Sequence, residues 1–226
     1  MDSTALTPRK THAGRSISSR GSATREAILH QGVALAREVG ISGLSIGGLA
    51  DAVGMSKSGL FAHFGSKEEL QIAVLEAAQD DFTDNVLKPA FTEPRGLTRL
   101  RAVMRGWLRW STGNGEEAAG GCVVLAASHE FDDRPGVVRD YLLLVETNLQ
   151  TMLHRSIRHC IETGELPSET HVEQFAFELM GLVMSGHFHV RLMRDPRATP
   201  YALAALERLI ATPPLLHTEI ATPVMG

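Results

Sequence analysis

The sequence has few cysteines and few aromatic residues. Its 226 residues include two cysteines, Cys122 and Cys160, and 5% aromatic residues. Two thiols allow at most one disulfide, and both lie in apolar helical patterns that suit reduced thiols. No stretch reaches the roughly 18 consecutive apolar residues that a membrane span requires. The composition therefore predicts a cytoplasmic protein with no membrane segment and with a hydrophobic core of its own.

Catalytic and metal-binding motifs are also missing. There is no GxGxxG loop, no P-loop and no nucleophile elbow. His187 and His189 stand two residues apart on a helical pattern, so their side chains point in different directions and cannot readily share a metal ion. We therefore expect no enzymatic activity, no metal site and no cofactor.

No segment alternates with the period of two that marks a β-strand, whereas most of the chain has helical period. The predicted fold class is all-α, with about nine helices. We expect these helices at about residues 24–39, 46–53, 57–63, 67–87, 97–111, 117–129, 136–163, 169–193 and 200–211. The predicted organisation is a disordered basic arm (1–22), a helix-turn-helix domain (23–66), a helical ligand-binding and dimerisation domain (67–211) and a flexible tail (212–226).

Charge is distributed unevenly along the chain. Residues 1–67 contain eight Lys or Arg and four Asp or Glu, a net charge of +4, and the remainder carries −8. A basic N-terminal region on an acidic body indicates that one end of the molecule meets a polyanion.

The segment 45–67, SIGGLADAVGMSKSGLFAHFGSK, contains two short apolar-faced helical patterns joined at Gly54. Such short helices are unstable alone and must pack on a third, which the first predicted helix supplies. Two short helices joined by a tight glycine turn form a helix-turn-helix, whose second helix enters the DNA major groove. The residues that this second helix would expose are Ser56, Lys57, Ser58, Phe61 and His63.

This segment and the helix before it resemble the DNA-binding domain of the tetracycline-repressor (TetR) family over about residues 24–75. The resemblance is carried by Ile28-Leu29, Gly40, Gly43-Leu44-Ser45, Leu49-Ala50-x-x-Val53-Gly54, Met55-Ser56-Lys57-Ser58-Gly59-Leu60-Phe61 and His63-Phe64-x-x-Lys67-x-x-Leu70. Beyond residue 75 the likeness is to the general architecture only, a helical body that binds a ligand and dimerises.

The resemblance implies that Ser45, His63 and Lys67 contact phosphates and that Lys57, Ser58 and Phe61 face the bases. Gly47, Gly48 and Ala62 depart from the family pattern, where larger polar, basic or aromatic residues are common. We therefore expect few DNA contacts from the helix at 46–53 and one phosphate contact fewer at Ala62, and we hypothesise that the arginine-bearing arm compensates in a minor groove.

Reading a palindrome requires two recognition helices about one DNA turn, roughly 34–36 Å, apart, so a homodimer is expected. The last two helices carry apolar and small residues suited to close helix packing, although both stripes could instead be ordinary core. The predicted interface residues are Leu179, Leu182, Gly186, Val190, Leu206 and Leu209.

The resemblance leaves the central helices to form a cavity for a small, lipophilic ligand. The predicted lining residues are Met104, Trp107, Trp110, Phe131, Tyr141 and Met152, although each could be plain core. The predicted function is that of a sequence-specific transcriptional regulator, a homodimeric repressor released from a palindromic operator by a small ligand. Two alternatives remain open: a helical-bundle enzyme with a vestigial DNA-binding head, and a protein that binds nucleic acid without sequence preference.

Overall fold

The computed structural model describes residues 19–113 and 121–216, and within these ranges it is built from helices with no strand. The helices are α1 (Ser19–Gly43), α2 (Ile46–Val53), α3 (Lys57–Phe64), α4 (Lys67–Phe82), a π-helical turn (Thr83–Leu87), α5 (Lys88–Thr92), α6 (Leu97–Thr112), α7 (Val123–Phe131), α8 (Val137–Glu162), α9 (Val172–Arg191) and α10 (Ala198–Ala211). The predicted all-α fold class is confirmed. None of the described helices is long and apolar enough to cross a membrane.

Helices α1 to α3 form the head of the molecule, and α4 to α10 form its body. The head has a small core in which Ile28, Leu44, Leu49, Leu60 and Phe64 are buried. This core continues into the body because α1 also packs against α4 and α7. The head is therefore fixed on the body by α1, which also packs against α2.

Helix α1 begins at Ser19, five residues before the predicted start, so residues 19–22 of the predicted arm are helical. The rest of that arm lies outside the described residues. At its other end Gly40 has φ 74° and ψ 164°, a conformation that L-residues other than glycine rarely adopt. The regular part of α1 therefore ends at Gly40, as the sequence predicts.

The helix after the head was expected to stop at about Leu87, before Pro89, but it continues to Thr92. Proline has no backbone N–H and crowds the preceding turn, so a regular α-helix cannot pass through it unchanged. Here the turn before it widens to π-helical geometry, in which the Lys88 N–H donates to the Thr83 carbonyl. This widened turn carries the helix past Pro89.

The end of the described chain is tied to the body. Thr170 and Leu215 form an isolated antiparallel bridge, the His171 N–H donates to Pro214 O at 2.8 Å, and the Leu216 N–H donates to Glu169 O at 2.7 Å. Residues 214–216, at the start of the segment expected to be a flexible tail, are thus paired with residues 169–171 of the body. Residues 217–226 lie outside the described residues.

Candidate nucleic-acid interface

A glycine turn sets the angle between α2 and α3. Gly54 has φ 68° and ψ 30°, the left-handed conformation that favours glycine. The Met55 N–H donates to Ala50 O at 2.9 Å and the Gly54 N–H donates to Asp51 O at 3.4 Å, the hydrogen-bond pair of a Schellman motif. The chain therefore reverses within two residues and sets α3 beside α2.

Serine residues begin each of the three helices at this end of the molecule. The hydroxyl oxygens of Ser45, Ser56 and Ser66 accept hydrogen bonds of 3.0–3.1 Å from the backbone N–H three residues later. Each cap occupies one of the N–H groups that a helix start leaves unpaired. The first N–H groups of these helices stay available, and helix N-termini attract phosphate oxygens.

Helix α3 separates its core side chains from its outward ones. Leu60 and Phe64 are buried, whereas Lys57, Ser58 and Phe61 lie within one arc of the helix and are exposed. Phe61 is 55% exposed, although its ring is large and apolar. A packing role therefore does not account for Phe61, and the exposed arc has the small, basic and aromatic character suited to a major groove.

All seven residues predicted to contact DNA are exposed: Ser45, Ser56, Lys57, Ser58, Phe61, His63 and Lys67. Four of them also form intramolecular hydrogen bonds. Ser45 caps α2, and Lys67 Nζ donates to Ser42 O at 2.8 Å. Ser56 caps α3, and its hydroxyl lies 3.3 Å from that of Ser58.

A relation between Gly47 and Lys57 was missed by the sequence reasoning. A Cβ atom added to Gly47 would lie 3.2 Å from Lys57 Cε, so the glycine leaves room for the lysine stem to cross α2. The departure from the family pattern at Gly47 therefore has a steric explanation. The absence of a side chain at this position of α2 makes space for the Lys57 side chain of α3.

Hydrogen bonds to residues of the body fix the chain that follows Gly40 and leads to α2. Glu130, near the end of α7, accepts from the Ile41 N–H at 3.2 Å and from the Ser42 N–H at 2.8 Å. Gln71 Nε2, on α4, donates to the Ile41 carbonyl at 2.6 Å in a buried position. Because this loop leads directly to Ser45, these bonds join the body to the start of the helix-turn-helix.

A small apolar cavity of about 30 Å³ lies in the body between the π-turn, α6, α7 and α8. Its walls include Phe82, Trp107, Leu125, Val145 and Leu149. This volume holds one or two waters, whereas sites for drug-sized ligands measure roughly 300–1,000 Å³. A larger ligand can therefore enter only if these helices move apart.

Two titratable groups border this cavity. Glu146 accepts a hydrogen bond from Ser128 Oγ at 3.0 Å, and burial raises the pKa of its carboxyl above the ordinary value. Burial also raises the pKa of the Cys122 thiol to about 11, which keeps this cysteine protonated and unreactive at neutral pH.

The six predicted cavity residues do not share one site. Trp107 lines the apolar cavity, and Met152 lines a separate groove further along α8. Met104 is fully buried, and Tyr141 is tied to Gln79 by a 2.9 Å hydrogen bond from its hydroxyl. The remaining two, Trp110 and Phe131, are half-buried against the core. An apolar helical stripe alone does not distinguish core from cavity lining.

The predicted dimer residues mostly face inward. Leu179, Gly186 and Leu206 are buried within the chain, because α9 packs against α6, α8 and α10. Leu182, Val190 and Leu209 are half-buried. The structure thus corrects the prediction by assigning three of the six residues to the protomer core.

Helix α9 nevertheless exposes a second apolar stripe. Phe177, Met184, Phe188 and Leu192 are exposed at helical spacing, and Phe177 is 74% exposed. Gly181 lies on the same face and Tyr201 of α10 is also exposed. An exposed stripe with two phenylalanines on one helix is typical of a protein–protein contact.

A helix-turn-helix head with an exposed recognition helix, fixed on a larger helical body, defines a helix-turn-helix transcriptional regulator. Two family models match the sequence. Residues 28–74 match "Bacterial regulatory proteins, tetR family", and residues 96–206 match "Tetracyclin repressor-like, C-terminal domain". The chain belongs to the TetR family of DNA-binding transcriptional regulators.

Solved structures show the same fold. A TetR transcriptional regulator from Chloroflexus aurantiacus is 22% identical, with a TM-score of 0.76, and the match covers 85% of this chain and 96% of that one. A TetR-family regulator from Cytophaga hutchinsonii is 21% identical, with a TM-score of 0.72 and the same coverage. AibR in complex with isovaleryl coenzyme A and operator DNA is 23% identical, with a TM-score of 0.63 and coverage of 80% and 95%. A comparison with curated proteins gave no match.

Proposed function

We propose that the protein is a homodimeric repressor that binds a palindromic operator and leaves it when a small ligand binds the body. The observation that carries this proposal is the outer face of α3, where Lys57, Ser58 and Phe61 are exposed and unused by the core. Their positions are held by the Gly54 turn and the Ser56 cap, so the face is preorganised for DNA.

The proposed contacts follow from side-chain chemistry. Lys57 donates to guanine O6 and N7, and the Phe61 ring touches a thymine methyl group. Ser45 before α2, His63 in the last turn of α3 and Lys67 at the start of α4 contact phosphates, with the helix N-termini adding backbone N–H donors. These phosphate contacts set the register of the helix, and the base contacts select the sequence.

The proposed dimer forms through the exposed apolar stripe of α9 together with α10. This assignment replaces the inward-facing residues that the sequence suggested with Phe177, Met184, Phe188 and Tyr201. The small Gly181 on the same face, with nothing within 4 Å of its missing side chain, leaves room for close approach of a second helix. Such a pairing is self-complementary, as a twofold-symmetric dimer requires.

The proposed ligand site is the cavity beside Trp107. Because the cavity measures only about 30 Å³, a ligand must favour a conformation with α6, α7 and α8 further apart. It then shifts the population toward that conformation, by no more than its difference in affinity for the two states. The solved complex of AibR with isovaleryl coenzyme A and operator DNA supports the proposal that this protein also responds to a ligand.

Selection of bound duplexes from a random DNA pool, at two salt concentrations, tests the proposal. We expect an enriched palindrome with half-sites about one turn apart. Lys57→Ala and Phe61→Ala should each weaken binding to that site by about 1–3 kcal/mol and relax specificity at one position. Lys88→Ala and Leu143→Ala, which remove an exposed lysine and an exposed apolar side chain from the body, serve as controls and should leave affinity unchanged.

Two other outcomes separate the alternatives. Weak binding that falls steeply with salt and enriches no site would indicate contacts to phosphates alone. Sequence-specific DNA binding that does not depend on catalytic turnover would argue against an enzyme with a vestigial DNA-binding head.

A further inference from the structure

A groove of about 670 Å³ lies between the second half of α8 and the turn that joins α5 to α6. Four basic side chains line it: Arg95 and Arg99 from the turn and the start of α6, and Arg155 and His159 from successive turns of α8. No acidic residue is among its lining residues. The groove is therefore positively charged, although residues 68–226 carry a net charge of −8.

Two of these arginines have no counter-charge within the part of the chain that the structure describes. Arg95 and Arg155 are exposed and form neither an ion pair nor a side-chain hydrogen bond with any described residue. Glu165 lies at the edge of the groove, beside Gly96, where its carboxylate accepts from the Leu97 N–H and from Thr163 Oγ1, each at 3.1 Å. Its single negative charge stands against the three arginines of the groove. Like charges gathered without a partner repel one another, and an anion would relieve that repulsion.

Arg99 is held in place. Its Nε and Nη2 atoms donate to Glu93 O at 3.0 and 2.7 Å, and its guanidinium lies 5.7 Å from the centre of the Phe91 ring. Its orientation is thus fixed before any ligand arrives, which lowers the entropy cost of binding. Phe91 and Met152 add apolar surface to the same groove.

The groove lies far from the proposed DNA-contacting surface. The continuous helix from Lys67, beside the head, to Thr92, beside the groove, spans 26 residues, or about 39 Å at 1.5 Å per residue. Its basic side chains are therefore not an extension of the DNA-contacting surface.

We infer that this groove binds a small anion bearing phosphate groups, with an attached apolar or aromatic part lying on Phe91 and Met152. Arginine is suited to this role because its planar donors match phosphate oxygens in pairs. The site is distinct from the closed apolar cavity beside Trp107, and it does not depend on the proposed operator.

Calorimetric titration of the full chain with sodium tripolyphosphate, in the absence of DNA, tests this inference. We expect saturable binding of one equivalent per chain. Arg95→Gln with Arg155→Gln should weaken binding by about tenfold or more, because two charge-assisted contacts are lost. Titration with ATP should show tighter binding than tripolyphosphate, since the adenosine adds a ring to pack in the groove.

The matched control is Arg109→Gln with Arg134→Gln, which removes the same charge from exposed positions outside the groove. This variant should bind tripolyphosphate within about twofold of the unmodified chain, since it keeps all groove contacts. Equal losses in the two variants, or no saturable binding to the unmodified chain, would overturn the inference. So would citrate binding as tightly as tripolyphosphate, because the groove would then not discriminate phosphate from carboxylate.

Discussion

The head and the body position their outward-facing residues by different means. In the head, each short helix starts at a serine cap, and α2 ends at a left-handed glycine, so local chemistry sets the orientation of α3. In the body, long helices present apolar residues on more than one face, and packing against neighbouring helices decides which face is core. Helix α9 shows this directly, with Leu179 buried and Phe177 exposed two residues away.

The contrast shows where a residue pattern is sufficient to locate a site. Caps and glycine turns act within a few residues, so their consequences follow from the sequence. The choice between two apolar faces depends on partners that are distant along the chain. Surfaces of the head are therefore more predictable than surfaces of the body.

The largest effect should come from disrupting the exposed stripe of α9. Changing Phe177 and Phe188 together to Glu places charge on the proposed interface, while the protomer core is untouched. We expect a folded monomer by size-exclusion chromatography with light scattering. Operator affinity should fall by about a hundredfold or more, equivalent to about 2.7 kcal/mol, because one head can contact only one half-site.

Leu143→Glu with Leu144→Glu is the control, since both leucines are exposed on α8 outside that stripe. This variant should stay dimeric, and a monomer here would move the interface to α8.

Leu179→Ala tests the inward face of α9 and leaves the exposed stripe unchanged. It should lower the free energy of unfolding by about 2–5 kcal/mol, because it leaves a cavity in the core.

The sequence was sufficient for the fold class, the helix-turn-helix and the exposure of its seven predicted residues. It was not sufficient for the contact between Glu130 and the Ile41 and Ser42 amides, which are 89 and 88 residues away. The helix through Pro89 was also missed, because a π-turn leaves no local signature that distinguishes it from a helix end. Apolar periodicity indicates which residues are buried but not what they pack against, so it did not separate core residues from residues of a cavity or an interface, as α9 shows.

An intermediate effect is expected at the junction between head and body. Gly40→Ala forces a side chain into a backbone region reserved for glycine, and its Cβ would lie 2.7 Å from Glu130 Oε1. We expect the free energy of unfolding, measured by urea denaturation, to fall by about 1–3 kcal/mol. Gly54→Asn is the comparison: nothing lies within 4 Å of Gly54, and asparagine adopts left-handed conformations more readily, so a smaller loss is expected. An equal or larger loss at Gly54 would contradict this account of the junction.

The smallest effect concerns Glu146 in the cavity wall. Burial raises the pKa of this carboxyl, so the folded protein holds its proton more tightly than the unfolded chain does. Stability should therefore decrease as pH rises above the unfolded pKa of about 4.3 and through the higher folded pKa. Glu146→Gln removes this loss, so urea denaturation should show a gain in stability at pH 7 that disappears below about pH 4.

Glu162→Gln, an exposed change near the end of α8, is the control and should leave the pH profile as it is. A gain from Glu146→Gln that is the same at both pH values would show that the neutral side chain acts through packing and not through the proton.

The hydrogen bonds to the Glu130 carboxylate also govern how fast two backbone amide hydrogens exchange with solvent. The Ile41 and Ser42 amide hydrogens belong to the head, but their acceptor belongs to a helix of the body. Exchange of these two hydrogens with deuterium from solvent requires that hydrogen bond to open. Their exchange rates, followed by residue-resolved spectroscopy, therefore measure how often the loop before α2 separates from α7, independently of any ligand or DNA.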